Sequence, residues 1–303
     1  MSNQLTIIGC GSAKPTKSLS PSAQVLEMRD KQFMIDCGEG TQITMQRIGV
    51  RQNRLNNIFI SHLHGDHCFG LIGLLSTWGM LGRTRDVCIH AQPDLEKLLS
   101  PLLSYFCPDL PYNVRFNNIN TKRSEVIYED RTVKVSTLPL KHRVPCCGFL
   151  FEEKPREPHI IREMIEMYNI PLSDVPRIKS GGDYVCIDGR VIPHEELTRP
   201  AAAPYRYAYC SDTAYNERLL ELIEGVDLLY HEATYSDEYE KSAKLYLHST
   251  ARQAATIAKK AHVKKLMLGH FSARVNDLGV LLGEAKEVFE NTVIAEEKMV
   301  YKL

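Results

Sequence analysis

Five apolar runs in this chain of 303 residues each lead into a residue that can bind a cation or move a proton. NNIFISHLHGDH reaches His62, TVKVSTLPLKH reaches His142, and YRYAYCSD reaches Asp212. VDLLYHEAT carries His231 and Glu232, and KKLMLGHF carries His270. Short runs that are apolar at successive positions predict strands covered on both faces, because a half-exposed strand would alternate polar with apolar. One polar strand end is ordinarily just solvated. Five that carry this chemistry constrain the topology: the ends converge on one edge of the sheets, and a site forms there.

The remaining segments suit sheets flanked by helices. LTIIGCGS reads as a strand entering a Gly turn, and AQVLEM with KQFMIDCGEG reads as a hairpin that ends on Asp36. Residues 41–48 are helix-like. FGLIGLLSTWGML is apolar nearly all round and predicts a buried helix. TARQAATIAKKAH has an apolar stripe through Ala254, Ile257 and Ala258. Hydrophobic residues make up 44% and charged residues 24% of the chain, enough for an ordinary globular core. Lys plus Arg and Asp plus Glu total 37 each, so any nucleic-acid footprint must be local. The start lacks a secretory pattern and no run is long enough to span a membrane, which predicts a cytoplasmic protein without a membrane partner. Nine cysteines without a CxxC pair are expected to be free thiols in a reducing compartment.

Residues 152–200 break the pattern. This stretch is rich in Pro and charge and holds one short amphipathic helix with Ile161, Met164, Ile165 and Tyr168 on a face. It reads as an insertion projecting from the domain; long inserted segments in compact domains are often functional.

The densest chemistry is SHLHGDHCFG, residues 61–70, directly after a strand. Neutral imidazoles and carboxylates bind zinc at about 2.0–2.2 Å. His62 and His64 point the same way if the chain stays extended. Asp66 and His67, beyond Gly65, swing to a second position. Four ligands divided two and two predict two metals.

HxHxDH resembles the signature of the metallo-β-lactamase superfamily. IDCGEGTQ (35–42), SHLHGDH (61–67), LKH (140–142), CSDT (210–213), HEAT (231–234), LHST (247–250) and LGHFSAR (268–274) resemble, in order, the motifs of the ribonuclease Z family of tRNA 3′-processing endoribonucleases. The resemblance implies an α/β fold, a single αββα-sandwich domain over residues 1–303, with residues 152–200 as an inserted flexible arm that grips tRNA. It implies two zinc ions per subunit. His62, His64 and His142 would bind one, Asp66, His67 and His270 the other, and Asp212 would bridge them. Asp36 would orient a ligand imidazole; on its own it reads equally well as a strand-end turn residue.

The implied reaction is endonucleolytic removal of the 3′ trailer from precursor tRNA, leaving a 3′-hydroxyl on the tRNA and a 5′-phosphate on the trailer. Asp66 would take or hold the proton of the attacking water. His248, paired with Glu232, would protonate the leaving 3′-oxygen. Lys17, Ser272 and Arg274 would contact substrate, and the enzyme would act as a homodimer. Two features depart from the family pattern. The arm has seven Lys or Arg against ten Asp or Glu over residues 152–199, and Leu19 stands where the family's Pro-x-Lys-x-Arg loop has Arg. The alternatives are another dinuclear-zinc hydrolase of the same fold, arylsulfatase-like or a small phosphodiesterase, and a non-catalytic RNA-binding relative.

Overall fold

The computed structural model of the protein describes residues 3–275 and 277–303. Two seven-stranded sheets dominate it. From edge to edge the first runs Val300–Lys302, Gln4–Gly9, Ala23–Met28, Lys31–Ile35, Leu55–Phe59, Val87–Ala91 and Val114–Asn118. The second runs Thr292–Ile294, Leu266–Gly269, Leu228–Glu232, Arg206–Cys210, Cys147–Glu153, Val133–Pro139 and Val126–Glu129. The expected hairpin is present: Ala23–Met28 pairs antiparallel with Lys31–Ile35 through a two-residue turn, Arg29 and Asp30, both at positive φ.

Four neighbouring strands of each sheet are parallel, from Lys31–Ile35 to Val114–Asn118 and from Arg206–Cys210 to Thr292–Ile294. Parallel neighbours need crossover connections, and helices supply most of them. Leu71–Met80 and Asp94–Phe106 return the chain across the first sheet, Ala251–Lys260 and Leu278–Lys286 across the second. Ala251–Lys260 begins with a capping box between Thr250 and Gln253, which satisfies backbone donors at its first turn. Parallel strands put their C-terminal ends on one edge, and those ends deliver Asp36, His62, Asp212, Glu232 and His270.

The two sheets meet through aromatic rings. Phe33 lies 5.5 Å from Phe151, and Phe59 lies 5.4 Å from Phe149 and 5.3 Å from Phe151. Side chains alternate along a strand, so Met34 and Ile58 face the other way. There they join Met45, Leu71, Leu74, Trp78, Leu95 and Leu99 from the covering helices. Ala254, Ala255, Ile257 and Ala258 are buried on the helix that covers the second sheet. The layers are therefore helices, sheet, sheet, helices, the αββα sandwich of the metallo-β-lactamase type.

The helix Leu71–Met80 corrects one expectation. It is not buried all round: Leu71, Leu74, Leu75 and Trp78 are buried, while Met80 is 79% exposed. Its buried residues follow i, i+3, i+4, i+7 spacing; Phe69, Met80 and Leu81, which make the segment look apolar all round, are exposed.

The chain divides into two compact units, one of residues up to Glu152 with Arg206–Leu303, the other Glu153–Tyr205. The second has its own small core of Ile170, Ile178, Tyr184, Ile192 and Leu197, against which Met164, Ile165 and Tyr168 of the expected helix pack. Ile161 stands just before that helix, Arg162–Met167.

Phe59 is fully buried and touches rings of both sheets. Phe59→Ala should destabilise the protein by about 3–5 kcal/mol in urea denaturation, the usual cost of deleting a core aromatic. A loss under about 1 kcal/mol would mean the aromatic layer does not hold the sheets together.

Candidate metal centre

The loop after Leu55–Phe59 carries His62 and His64, and the short helix Gly65–Cys68 carries Asp66 and His67. His142 follows Val133–Pro139, Asp212 follows Arg206–Cys210, and His270 follows Leu266–Gly269. The structure brings all seven together. One group is His62, His64, His142 and Asp212, and a second is Asp66, His67 and His270, each with donor atoms within 4.8 Å of one another.

Asp212 faces both groups with different oxygens. Its Oδ2 is 3.6 Å from His62 Nε2 and 3.7 Å from His142 Nε2. Its Oδ1 is 3.4 Å from His67 Nε2 and 3.2 Å from His270 Nε2. Ligand atoms of a tetrahedral cation with bonds of about 2.0–2.1 Å lie about 3.3 Å apart. His62 Nε2 and His142 Nε2 stand 3.0 Å and 3.3 Å from His64 Nδ1, and His67 Nε2 and His270 Nε2 are 3.3 Å apart. Asp66 Oδ2 is 3.5 Å from His67 Nε2 and 3.4 Å from His270 Nε2. These spacings fit small divalent cations.

Protonation fits too. Burial lowers His62 well below the ordinary imidazole value, and neighbouring imidazoles lower it further; burial also lowers His64 and His142. Burial alone would raise Asp66 and Asp212, but the surrounding imidazoles outweigh it and hold both well below the usual carboxylate range. Burial would lower His67, but the Asp212, Asp36 and Asp66 carboxylates outweigh it and hold that ring well above the ordinary imidazole value, a positive charge that a bound cation would replace.

Hydrogen bonds at the far side of the rings point lone pairs inward. His142 Nδ1–H donates to Leu247 O at 3.0 Å, and His67 Nδ1–H donates to Asp36 Oδ2 at 2.7 Å. Ser61 Oγ–H donates to Asp36 Oδ2 at 2.9 Å and so accepts from His62 Nδ1–H at 3.0 Å. Asp36 thus orients imidazoles. His231 is fully buried, with Nδ1 bonded to the Glu232 carbonyl, and takes no part in either group.

His248 and Glu232 are paired: Nδ1–H donates to Oε1 at 2.8 Å. Burial pulls the His248 imidazole down, but the Glu232 carboxylate more than offsets this and raises it to about 9. Glu232 is itself held below the usual range; burial opposes this, and the His248 charge outweighs it.

A cleft of ≈ 620 Å³ opens beside His248, lined by Ser12, Lys14, Arg143, Thr234, Tyr235, Tyr246, Ser272 and Arg274 among others. Ser272 and Arg274 both line this cleft. Lys17 is exposed and does not line this cleft; Lys14, three residues earlier, does. Arg143 lines the same cleft and also a larger one of ≈ 950 Å³ beside His142, with Lys122, Lys141 and Arg218. Sequence reasoning missed Lys14 and Arg143. The signal for Arg143 was its place directly after His142.

The comparisons with known proteins agree with this geometry. Residues 3–154 match the family model described as anti-Pycsar protein Apyc1. Ribonuclease Z of Bacteroides thetaiotaomicron is 54% identical over 296 residues, 98% of this chain and 94% of its own. Human tRNase Z, short form, superposes with a TM-score of 0.70 at 25% identity, over 99% of this chain and 98% of its own. The metallo-β-lactamase fold protein YhfI from Bacillus subtilis, at 19% identity and a TM-score of 0.69 over the whole of both chains, shares the fold. With more than half of its residues identical to a ribonuclease Z along nearly its full length, the chain belongs to the ribonuclease Z family.

Proposed function

We propose that this protein removes the 3′ trailer from precursor tRNA by hydrolysing one phosphodiester, using two zinc ions per subunit. The observation that carries the reading is Asp212, whose two oxygens face two separate donor groups at metal-ligand spacing. Zinc bound there would neutralise charge on the phosphoryl oxygens and make a water easier to deprotonate near neutral pH. Asp66, whose Oδ2 accepts from Ala13 N–H at 2.7 Å, is fixed to take or hold that proton. His248 donates a proton to the departing 3′-oxygen, with Glu232 stabilising its cationic form. Lys14, Arg143, Ser272 and Arg274 line the neighbouring cleft for phosphate contacts, and Lys17 lies further along the Lys14 loop. The expected products are a tRNA 3′-hydroxyl and a trailer 5′-phosphate.

The unit Glu153–Tyr205 is our candidate for the tRNA-gripping arm; its own core gives it the rigidity to act as a distinct exosite. All nine cysteines are free, which suits a cytoplasmic enzyme. No helix among the described residues is long and apolar enough to cross a membrane. We also propose a homodimer. Met80, Leu81, Leu98, Leu102, Tyr105 and Phe106 are exposed on and beside the helices Leu71–Met80 and Asp94–Phe106, a cluster of apolar side chains that a second copy would cover.

The direct test is purification without chelator, elemental analysis, and incubation with a precursor tRNA whose product ends are mapped. Two zinc equivalents and the ends named above are expected. Hydrolysis of a generic diester with precursor tRNA left intact would favour another hydrolase of this fold.

His248→Ala should lower the rate on precursor tRNA by about 100- to 10,000-fold while both metals stay bound. The loss should shrink on a nitrophenyl diester, whose leaving group departs without a proton. Equal losses on both substrates would remove His248 from the proton-donor role.

Leu102→Glu combined with Phe106→Glu should turn the dimer into a monomer in sedimentation velocity. A variant dimer of unchanged stability would place the interface elsewhere.

A further inference from the structure

Three imidazoles of the centre are oriented by Asp36, Ser61 and the Leu247 carbonyl. His270 is oriented by a side chain that the reaction scheme does not use. Its Nδ1 lies 2.9 Å from the hydroxyl of Thr234, which is buried. The same hydroxyl is 2.7 Å from Glu232 Oε2 and 3.0 Å from the His270 carbonyl oxygen. A hydroxyl has one proton to give. Neither an ionised carboxylate nor a carbonyl can give one back, so the proton goes to one of those two oxygens. Toward His270 the hydroxyl can only accept. His270 must therefore carry its proton on Nδ1 and turn a bare Nε2 toward Asp66 Oδ2 at 3.4 Å and Asp212 Oδ1 at 3.2 Å.

The other end of this link is equally determined. Glu232 Oε2 also accepts from Thr234 N–H at 3.0 Å. Its Oε1 accepts from Thr213 N–H at 3.0 Å and from His248 Nδ1–H at 2.8 Å. Four donors saturate the carboxylate and fix it in place. Among the described residues, Thr234 is the one side chain that bonds both to this carboxylate and to a ring of the donor cluster.

We propose that Thr234 is a positioning residue whose hydroxyl holds His270 in its cation-binding tautomer and ties that ring to the Glu232–His248 pair. One side chain then sets the second metal site and the proton donor in register. The inference rests on reading the centre as a two-zinc site, and its test does not require tRNA cleavage.

Thr234→Val keeps the β-branched shape and removes the hydroxyl; Thr234→Ser keeps the hydroxyl. Each zinc-loaded protein is dialysed against graded chelator and its metal content measured. Wild type and Thr234→Ser should retain two equivalents over the same range. Thr234→Val should release one equivalent about 10- to 100-fold more readily, as expected when the hydrogen-bond partner of a ligand histidine is lost, and hold the other normally. On a nitrophenyl diester its kcat should fall while KM stays within about twofold. A folded Thr234→Val protein that keeps both metals like wild type overturns the proposal. If Thr234→Val fails to fold by circular dichroism, the zinc-loaded wild type decides. A solvent-protected His270 Nδ1–H resonance, retained in Thr234→Ser, supports the proposal, and its absence overturns it. Wild type that holds two metals but leaves precursor tRNA uncut defeats the tRNA reading alone.

Discussion

The centre depends on one buried carboxyl group. Asp36 is fully inaccessible and sits at the end of Lys31–Ile35. Its Oδ1 accepts from Ser61 N–H at 2.8 Å; its Oδ2 accepts from Ser61 Oγ, His67 Nδ1 and Tyr209 Oη at 2.9, 2.7 and 2.7 Å. Burying such a group without partners would cost several kcal/mol. Here four donors offset that cost, and each lies on an element the site needs. Tyr209 belongs to the second sheet, Ser61 follows a strand of the first, and His67 lies on the short helix Gly65–Cys68. Through Ser61 the influence reaches His62. One carboxyl thus ties sheet to sheet and orients a ring in each metal group.

Four of the nine described non-glycine residues with left-handed φ stand at the same edge. Ala13, Asp36, Leu247 and His270 all adopt left-handed φ, at 65°, 55°, 57° and 59°. For residues other than glycine this costs about 1–2 kcal/mol each. Each position returns something specific. Ala13 N–H holds Asp66, Leu247 O holds His142, and Asp36 and His270 project side chains into the cluster. Strain of this kind persists only where the surroundings enforce it, and here the hydrogen bonds of the centre do so.

The same distinction explains what was legible in the sequence. Apolar strands ending in His, Asp or Glu were readable because they record burial and edge position locally. The parallel topology carries those ends to one edge, as expected. The role of Asp36 in orienting an imidazole came only from the family resemblance; its own segment read equally well as a turn, since the ring it holds, His67, is 31 positions away. Exposed apolar side chains at the ends, Phe69, Met80 and Leu81, hid the exposed face of Leu71–Met80. The arm read as an insertion, but its small core was not readable, because Ile170, Ile178, Tyr184, Ile192 and Leu197 follow no single period. Lys14 was overlooked for Lys17 because loop side chains have no periodicity to say which one turns into the cleft.

The formal neutrality of the chain is the last difficulty for an enzyme acting on a polyanion, and the ion pairs resolve it. In the unit Glu153–Tyr205, Arg156, Arg162, Arg177, Lys179 and Arg190 each lie beside a carboxylate. Their charge is largely spent locally, and surface pairs of this kind project little field beyond a Debye length. In the clefts beside the centre, Lys14, Lys122, Lys141, Arg143, Arg218 and Arg274 line the walls, and none has an ion-pair partner among the described residues. Arg143 is braced instead by the Tyr246 ring, 5.6 Å from its guanidinium carbon. Unpaired cations in a cleft focus positive potential there, whatever the total charge. One acidic residue, Glu217, lines the larger cleft, and its carboxylate is paired with Lys260. A phosphate chain entering the cleft therefore meets a positive wall, although the molecule as a whole is neutral.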